Sequence, residues 1–131
     1  MKYLYHITKE KYLSNIIANG LQINSGKNGF VKRNYLKFYK DKYGMQPIFL
    51  TSDIQYVIDT QLTPEFIKKH KCYVIKIKAD SLQVENEYQY MKDDWQEYYD
   101  KDAIDKSWDK CFICRTYIDI NLIEKVSPLF K

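Results

Sequence analysis

Chemistry-bearing residues are scarce in this chain. It has two histidines, two arginines and three cysteines, set against nineteen lysines. His6 lies in "YLYHITKEKYLSNIIANGL", Tyr3 to Leu21, where a strand-like run hands over to a helix-like one. A side chain there sits beside the unpaired N–H groups of a helix N-terminus, a setting suited to an anion or an amide. The plainer expectation is a half-buried imidazole bonded to a backbone carbonyl. Arg33 and Arg115 stand out because lysine supplies nearly all the other cations. A planar guanidinium fork suits bidentate contact with phosphate. Arg33 and Arg115 are therefore candidate contacts for a phosphate or pyrophosphate, with chance placement as the alternative.

Cys111-Phe-Ile-Cys114, with His70 and Cys72, offers a permissible zinc donor set. Residues three apart on a strand face opposite sides, so Cys111 and Cys114 are expected instead as buried apolar thiols. No metal is expected. Met91 to Asp109 leans acidic and reads as a solvated face or a partner-binding surface.

The elements that must position these residues follow from local pattern. Lys2 to Ile7 reads as a strand, with Thr8 as the cap of the next helix. Tyr12, Leu13, Ile16 and Ile17 recur at helical spacing as one apolar face, and Asn19-Gly20 closes the helix. "NSGKNGFVKRN", Asn24 to Asn34, reads as a loop, and Tyr35 to Tyr43 as a helix stopped at Gly44. Pro47 to Thr51 reads as a buried strand, followed by a short helix capped by Ser52 or Asp53. Thr63-Pro64-Glu65 opens another helical piece. Cys72 to Lys78 alternates as a strand, Cys111 to Asp119 reads as another, and the chain ends in a turn and a strand. A helix is expected around Asp93 to Tyr99. Strands and helices do not alternate regularly, which argues an α+β fold.

The 131 residues suit a single domain spanning 1–131, and 45% hydrophobic content suffices for one core. A net charge of +4 permits a phosphate-bearing ligand without demanding one. An odd cysteine count and no recognisable signal peptide suggest a reducing, cytoplasmic setting. No apolar run approaches the ~20 residues that span a bilayer, so no membrane partner is expected.

"YHIT…YLSNIIANGL" resembles the opening of ADP-ribosyltransferase-like domains, and its His-x-Thr form looks like DarT-type enzymes. The resemblance implies a split, mostly antiparallel sheet and a cleft for NAD. It implies His6 on a ribose hydroxyl, the Ile7 main chain on the nicotinamide amide, and Thr8 in support. "PIFLTSDIQYV", Pro47 to Val57, resembles the second motif of that superfamily, which brings in Phe49, Thr51 and Ser52, with Tyr56 as a ring to stack on nicotinamide. The third motif carries a Glu before a Tyr-Ile strand; here Thr116 precedes Tyr117-Ile118. A threonine can bond to ribose but supplies no charge to a developing cation. The implied function is transfer of ADP-ribose from NAD to a protein or nucleic-acid acceptor, under a lid formed by Asn24 to Asn34. Two alternatives remain open. One is an inactive domain of the same fold that binds a nucleotide or a protein, of toxin or counter-defence type. The other is RNA 2'-phosphotransferase-like chemistry through His6 and the arginines.

Overall fold

The computed structural model describes residues 2–31, 33–87 and 109–130, and gives residues 33–35 by backbone alone. The expected helix around Asp93 to Tyr99 and most of the acidic stretch lie outside the described residues. Strand β1, Tyr3–Lys9, runs directly into α1, Glu10–Asn19. Then come α2, Arg33–Tyr43; β2, Ile48–Thr51; α3, Ile54–Thr60; α4, Pro64–His70; and β3, Cys72–Lys78. The rest are β4, Val84–Asn86; β5, Cys111–Cys114; a 3-10 turn, Ile120–Leu122; and β6, Ile123–Pro128.

The fold is α+β. The six described strands form one antiparallel sheet in the order β4-β5-β2-β1-β3-β6. Alternation along β1 and β3 divides the core between the two faces of the sheet. Leu4, Ile75 and Ile77 pack with Ile16 of α1 on one side. Ile7, Cys72 and Val74 pack with Val57 of α3 and Ile67 of α4 on the other.

The two halves of the sheet are unequally joined. β1 and β3 are in register at seven pairs, from Tyr3↔Lys78 to Lys9↔Cys72. β1 and β2 meet at the single pair Tyr5↔Thr51. Beyond that pair, the β2-facing edge of β1 is left to side chains and to the loop between α1 and α2.

Several local expectations are corrected by tertiary pairing. Thr8 does not cap α1. It is fully buried within β1 opposite Tyr73, and Lys9 takes the cap position with no side-chain hydrogen bond. Seven rungs with β3 hold Thr8 and Lys9 extended, which outweighs the local capping preference. Ile17 leaves the apolar face: Ile16 is wholly buried while Ile17 is 52% exposed. The strand expected over Cys111 to Asp119 also stops early, because β5 ends at Cys114 and the chain then turns so that Ile118 pairs with Leu21. The helix expected from Tyr35 begins at Arg33.

The helix starts read from sequence elsewhere match the structure, with Asp53 rather than Ser52 as the cap of α3. Asp53 accepts from the Tyr56 N–H at 3.1 Å, and Thr63 accepts from the Phe66 N–H at 3.1 Å. Gly20 closes α1 at φ 79°, where a Cβ-bearing residue is strained, and its N–H donates to the Ile16 carbonyl at 2.8 Å.

Candidate functional site: the split between β1 and β2

His6 fills the gap where the sheet parts. It is 3% exposed, and both ring nitrogens face backbone carbonyls. Nδ1 lies 2.8 Å from the Phe49 oxygen on β2. Nε2 lies 2.7 Å from the Asn28 oxygen in the loop after α1. The side chain thus ties β1 to β2 on one nitrogen and to the loop on the other.

The loop can come this close because Gly29 has no side chain. A Cβ there would stand 2.8 Å from the Ile7 carbonyl oxygen and 3.3 Å from His6 Cε1. The base of the loop is fixed by a reciprocal pair. Asn24 N–H donates to the Gln46 carbonyl at 2.9 Å, and Gln46 N–H donates to Asn24 Oδ1 at 2.7 Å. Asn24 itself sits at φ 61°, a conformation asparagine tolerates better than most residues. Within the loop, Asn28 Nδ2 donates to the Gln22 carbonyl at 2.6 Å.

Between loop and strands lies a cleft of about 430 Å³, including its open mouth. His6, Ile7, Gly29, Phe30, Gln46 and Phe49 are among its lining residues, and no Asp or Glu among the described residues lines it. The space inside it open to water-sized molecules is only about 40 Å³, well below an ordinary small-molecule pocket.

The structure brings together three of the residues singled out from sequence: His6, Ile7 and Phe49. It puts the others elsewhere. The Thr8 hydroxyl makes a long 3.4 Å bond to the Lys9 carbonyl inside β1. Thr51 Oγ1 donates to the Lys110 carbonyl at 2.9 Å and Ser52 Oγ reaches the same oxygen at 3.5 Å, so both hydroxyls hold the approach to β5. Tyr56 lies on α3, partly buried against the α3–α4 face, with the Lys110 ammonium 5.3 Å from its ring centroid. Arg115 pairs with Glu85 at 2.9 Å and lies over the Tyr43 ring at 5.3 Å. Thr116 is exposed, its carbonyl 3.4 Å from Cys114 Sγ. Arg33 opens α2, and its side chain is outside the described residues.

Asn28 and Gly29 escaped the reading of the sequence as individual residues. "KNGF" signals a turn, but a backbone carbonyl aimed at a distant histidine leaves no mark in side-chain pattern. Among the described residues no three His, Cys, Asp or Glu side chains gather as a metal site. Cys72, Cys111 and Cys114 are all buried free thiols.

The electrostatics of His6 are in tension. Carbonyl oxygens only accept, and neutral imidazole carries one N–H, so both bonds form together only in the imidazolium. Burial opposes that charge and is the largest influence, holding the pKa below the ordinary 6.5 although both carbonyls pull it up. Because the folded pKa is depressed relative to the unfolded one, the folded state binds fewer protons across that window. The stability contributed by His6 is therefore complete above about pH 6.5 and lost as pH falls through the folded pKa. Urea titrations between about pH 5 and pH 7.5 should show stability rising with pH, and His6→Gln should flatten that slope. An unchanged slope in the variant would remove His6 as its source.

Cys111 is 4% exposed, and burial, followed by the neighbouring Glu87 carboxylate, pushes its thiol up to about 12. A thiol that stays protonated and covered is a poor nucleophile. In the folded protein at about pH 8, Cys111 is expected to react with a thiol reagent at least ~100-fold more slowly than in urea, as read by mass spectrometry of the modified peptide.

Set against known proteins, the chain matches no family model and no curated protein.

Proposed function

We propose that the chain is an ADP-ribosyltransferase-like domain that binds NAD at the split between β1 and β2 and transfers ADP-ribose to a protein or nucleic-acid acceptor. The observation that carries the reading is His6. It sits at the parting of an antiparallel sheet, its Nδ1 fixed by the Phe49 carbonyl and its Nε2 turned into a cleft. The resemblance of the opening residues implies a ribose contact from this imidazole, and Nε2 is the nitrogen available to exchange partners.

The residues fit the ligand on one condition. Asn28 now occupies the Nε2 position, and Gly29 stands over the Ile7 carbonyl. A nicotinamide ribose takes these places when residues 25–30 lift away. The loop then acts as a lid: it exchanges the Asn28 carbonyl for a ribose hydroxyl and uncovers the Ile7 main chain for a planar amide. His6 orients the ribose, the Ile7 backbone reads the amide, and Phe49 walls the cleft. NAD bound there supplies the scissile glycosidic bond.

A second reading is favoured by one observation. No carboxylate among the described residues lines the cleft, so nothing described there stabilises a developing cation. On that reading the domain binds the nucleotide without cleaving it.

Differential scanning fluorimetry with NAD, run beside an assay for released nicotinamide, separates the two. Ligand at about 100 times its Kd adds about 2.7 kcal/mol, a rise of several degrees in Tm. A Tm rise with nicotinamide release supports the transferase. A rise without release supports the binder. No rise at millimolar NAD sinks both.

A further inference from the structure

Strand β6 is the outermost described strand on one side of the sheet, and its pairing with β3 shows which of its backbone groups are spent. The Leu129 N–H donates to the Cys72 carbonyl at 2.9 Å, and the next pair is Tyr73 opposite Pro128. Antiparallel pairs alternate between residues that exchange hydrogen bonds and residues that do not. Ser127 and Lys125, opposite Val74 and Lys76, therefore bond inward. By the same alternation, the N–H and C=O of Val126 point out of the sheet, where no described strand lies to take them. The other edge is blunter, because β4 has only three residues against six in β6.

The two faces of β6 differ in chemistry. Val126 stands opposite Ile75 and Ile123 opposite Ile77, so both lie on the face that α1 covers, where they are half-buried. Lys125 lies on the other face, directly opposite Lys76. Like charges in that relation destabilise a sheet. A lysine on an edge strand deters aggregation, but Lys76 lies on β3, between β1 and β6, where that reason does not apply.

Further cations join this pair. Lys78 shares the face of Lys76 two residues along β3, and it is exposed. Lys76 Nζ and Lys2 Nζ stand 4.2 and 5.4 Å from the centroid of the Tyr3 ring. The carboxylates that bear on this face are Glu124, which hydrogen-bonds the Tyr3 hydroxyl, and Asp80. Four cations thus meet two anions. The ion pairs among the described residues, Lys110–Asp53 and Arg115–Glu85, involve none of these lysines. Helices α3 and α4 cover the other half of this face, over Ile7, Cys72 and Val74.

We propose that the β6 edge docks an extended peptide strand of alternating acidic and apolar residues, antiparallel to β6. The residue opposite Val126 takes up its free N–H and C=O and shares its face, so that residue is apolar and packs beside Val126 and Ile123. Its two neighbours fall on the other face beside Lys125, and they are acidic. Lys76 stands one strand further in, about 10 Å from the incoming chain and within about a Debye length at 0.1 M salt. Neither a bilayer nor a nucleic acid presents a backbone ladder of alternating N–H and C=O groups, so the free edge selects a peptide among anionic partners. Two strand spacings separate β6 from β1, and the docking is independent of the NAD reading.

The test is fluorescence anisotropy of a labelled peptide, Gly-Ser-Asp-Val-Asp-Val-Asp-Val-Gly-Ser, with the full chain at about 50 mM salt. Saturable binding is expected. The same peptide with its valine amides N-methylated keeps every charge but cannot pair with Val126, and it should bind at least ~10-fold more weakly. The double reversal Lys78→Glu, Lys125→Glu should also weaken binding at least ~10-fold. The double reversal Lys40→Glu, Lys68→Glu makes the same change in net charge on exposed helix positions and should cost under ~3-fold. Equal affinity for the methylated and unmethylated peptides would overturn strand addition without any change to the protein. Equal losses from the two double reversals would reduce the effect to net charge and overturn the proposal. So would no peptide binding at this salt, or binding to oligothymidylate or phosphatidylglycerol vesicles without binding to the peptide.

Discussion

Gly20→Ala is expected to lower the Tm by about 8–15 °C, a loss of about 2–4 kcal/mol. Gly20 ends α1 at φ 79° and ψ −173°, a region essentially confined to glycine, where a side chain costs about 1–3 kcal/mol on backbone grounds alone. A steric cost adds to this. A Cβ at this position drives into the Ile118 carbonyl and stands 2.8 Å from the Tyr117 hydroxyl. The exposed Tyr117 ring can swing away, but the Ile118 carbonyl cannot, because Leu21 and Ile118 exchange backbone bonds at 3.0 and 2.9 Å and both side chains are fully buried. Gly44 supplies the control. It shares φ 79° yet has nothing within 4 Å of where a Cβ would stand, so Gly44→Ala should cost only the backbone part, about 1 kcal/mol. Thermal melts of the two variants, followed by circular dichroism, separate contact from conformation. Equal losses would show that the close approach at Ile118 carries no energy.

His6→Phe is expected to destabilise the fold by about 2–4 kcal/mol and to free the loop. Phenylalanine roughly keeps the volume but donates nothing, so whichever of the Phe49 and Asn28 carbonyls holds the imidazole N–H loses it. An acceptor left unsatisfied in a buried setting costs about 1–3 kcal/mol, less where water can reach it, as at the cleft mouth. Trypsin cleavage after Lys27, which is exposed in the loop, should speed up by at least ~10-fold once the tether is gone. His6→Gln should recover part of the stability through one amide N–H while still losing the NAD-dependent Tm rise. If cleavage at Lys27 is as slow in His6→Phe as in the unmodified chain, the imidazole does not hold the loop. If His6→Gln keeps the full NAD response, His6 makes no contact with the ligand.

These two residues differ in how far local pattern revealed them. Asn19-Gly20 carries its own signal, since a glycine after an amphipathic run is the expected C-terminal stop. What the pattern withheld was the Ile118 carbonyl on the other side, brought there by a bridge between Leu21 and Ile118, far apart in the chain. His6 was visible as an odd residue at a strand end, and the expectation of an imidazole on a backbone carbonyl was met twice over. Its position in a sheet that parts beyond Tyr5↔Thr51 was not visible, because register between β1 and β2 is a property of the pair.

The same division holds across the molecule. Local pattern sufficed for the α+β class, most element identities, the caps at Asp53 and Thr63, the stop at Gly20 and the two-faced burial of β3. Each follows from a few neighbouring residues, through capping, periodicity of 3.6 or 2, and freedom of φ. Long-range packing was needed to assign Thr8 to β1, to turn Ile17 to solvent and to end the strand expected over Cys111 to Asp119 at Cys114. It also selected the residues that share the cleft. Phe49 joins His6 there, whereas Tyr56, Arg115 and Thr116 turn to Lys110, Glu85 and Cys114. Side-chain type fixes what a residue can bond to; only the packing of distant strands, with many long-range contacts acting together, fixes which partner stands within hydrogen-bond reach of it.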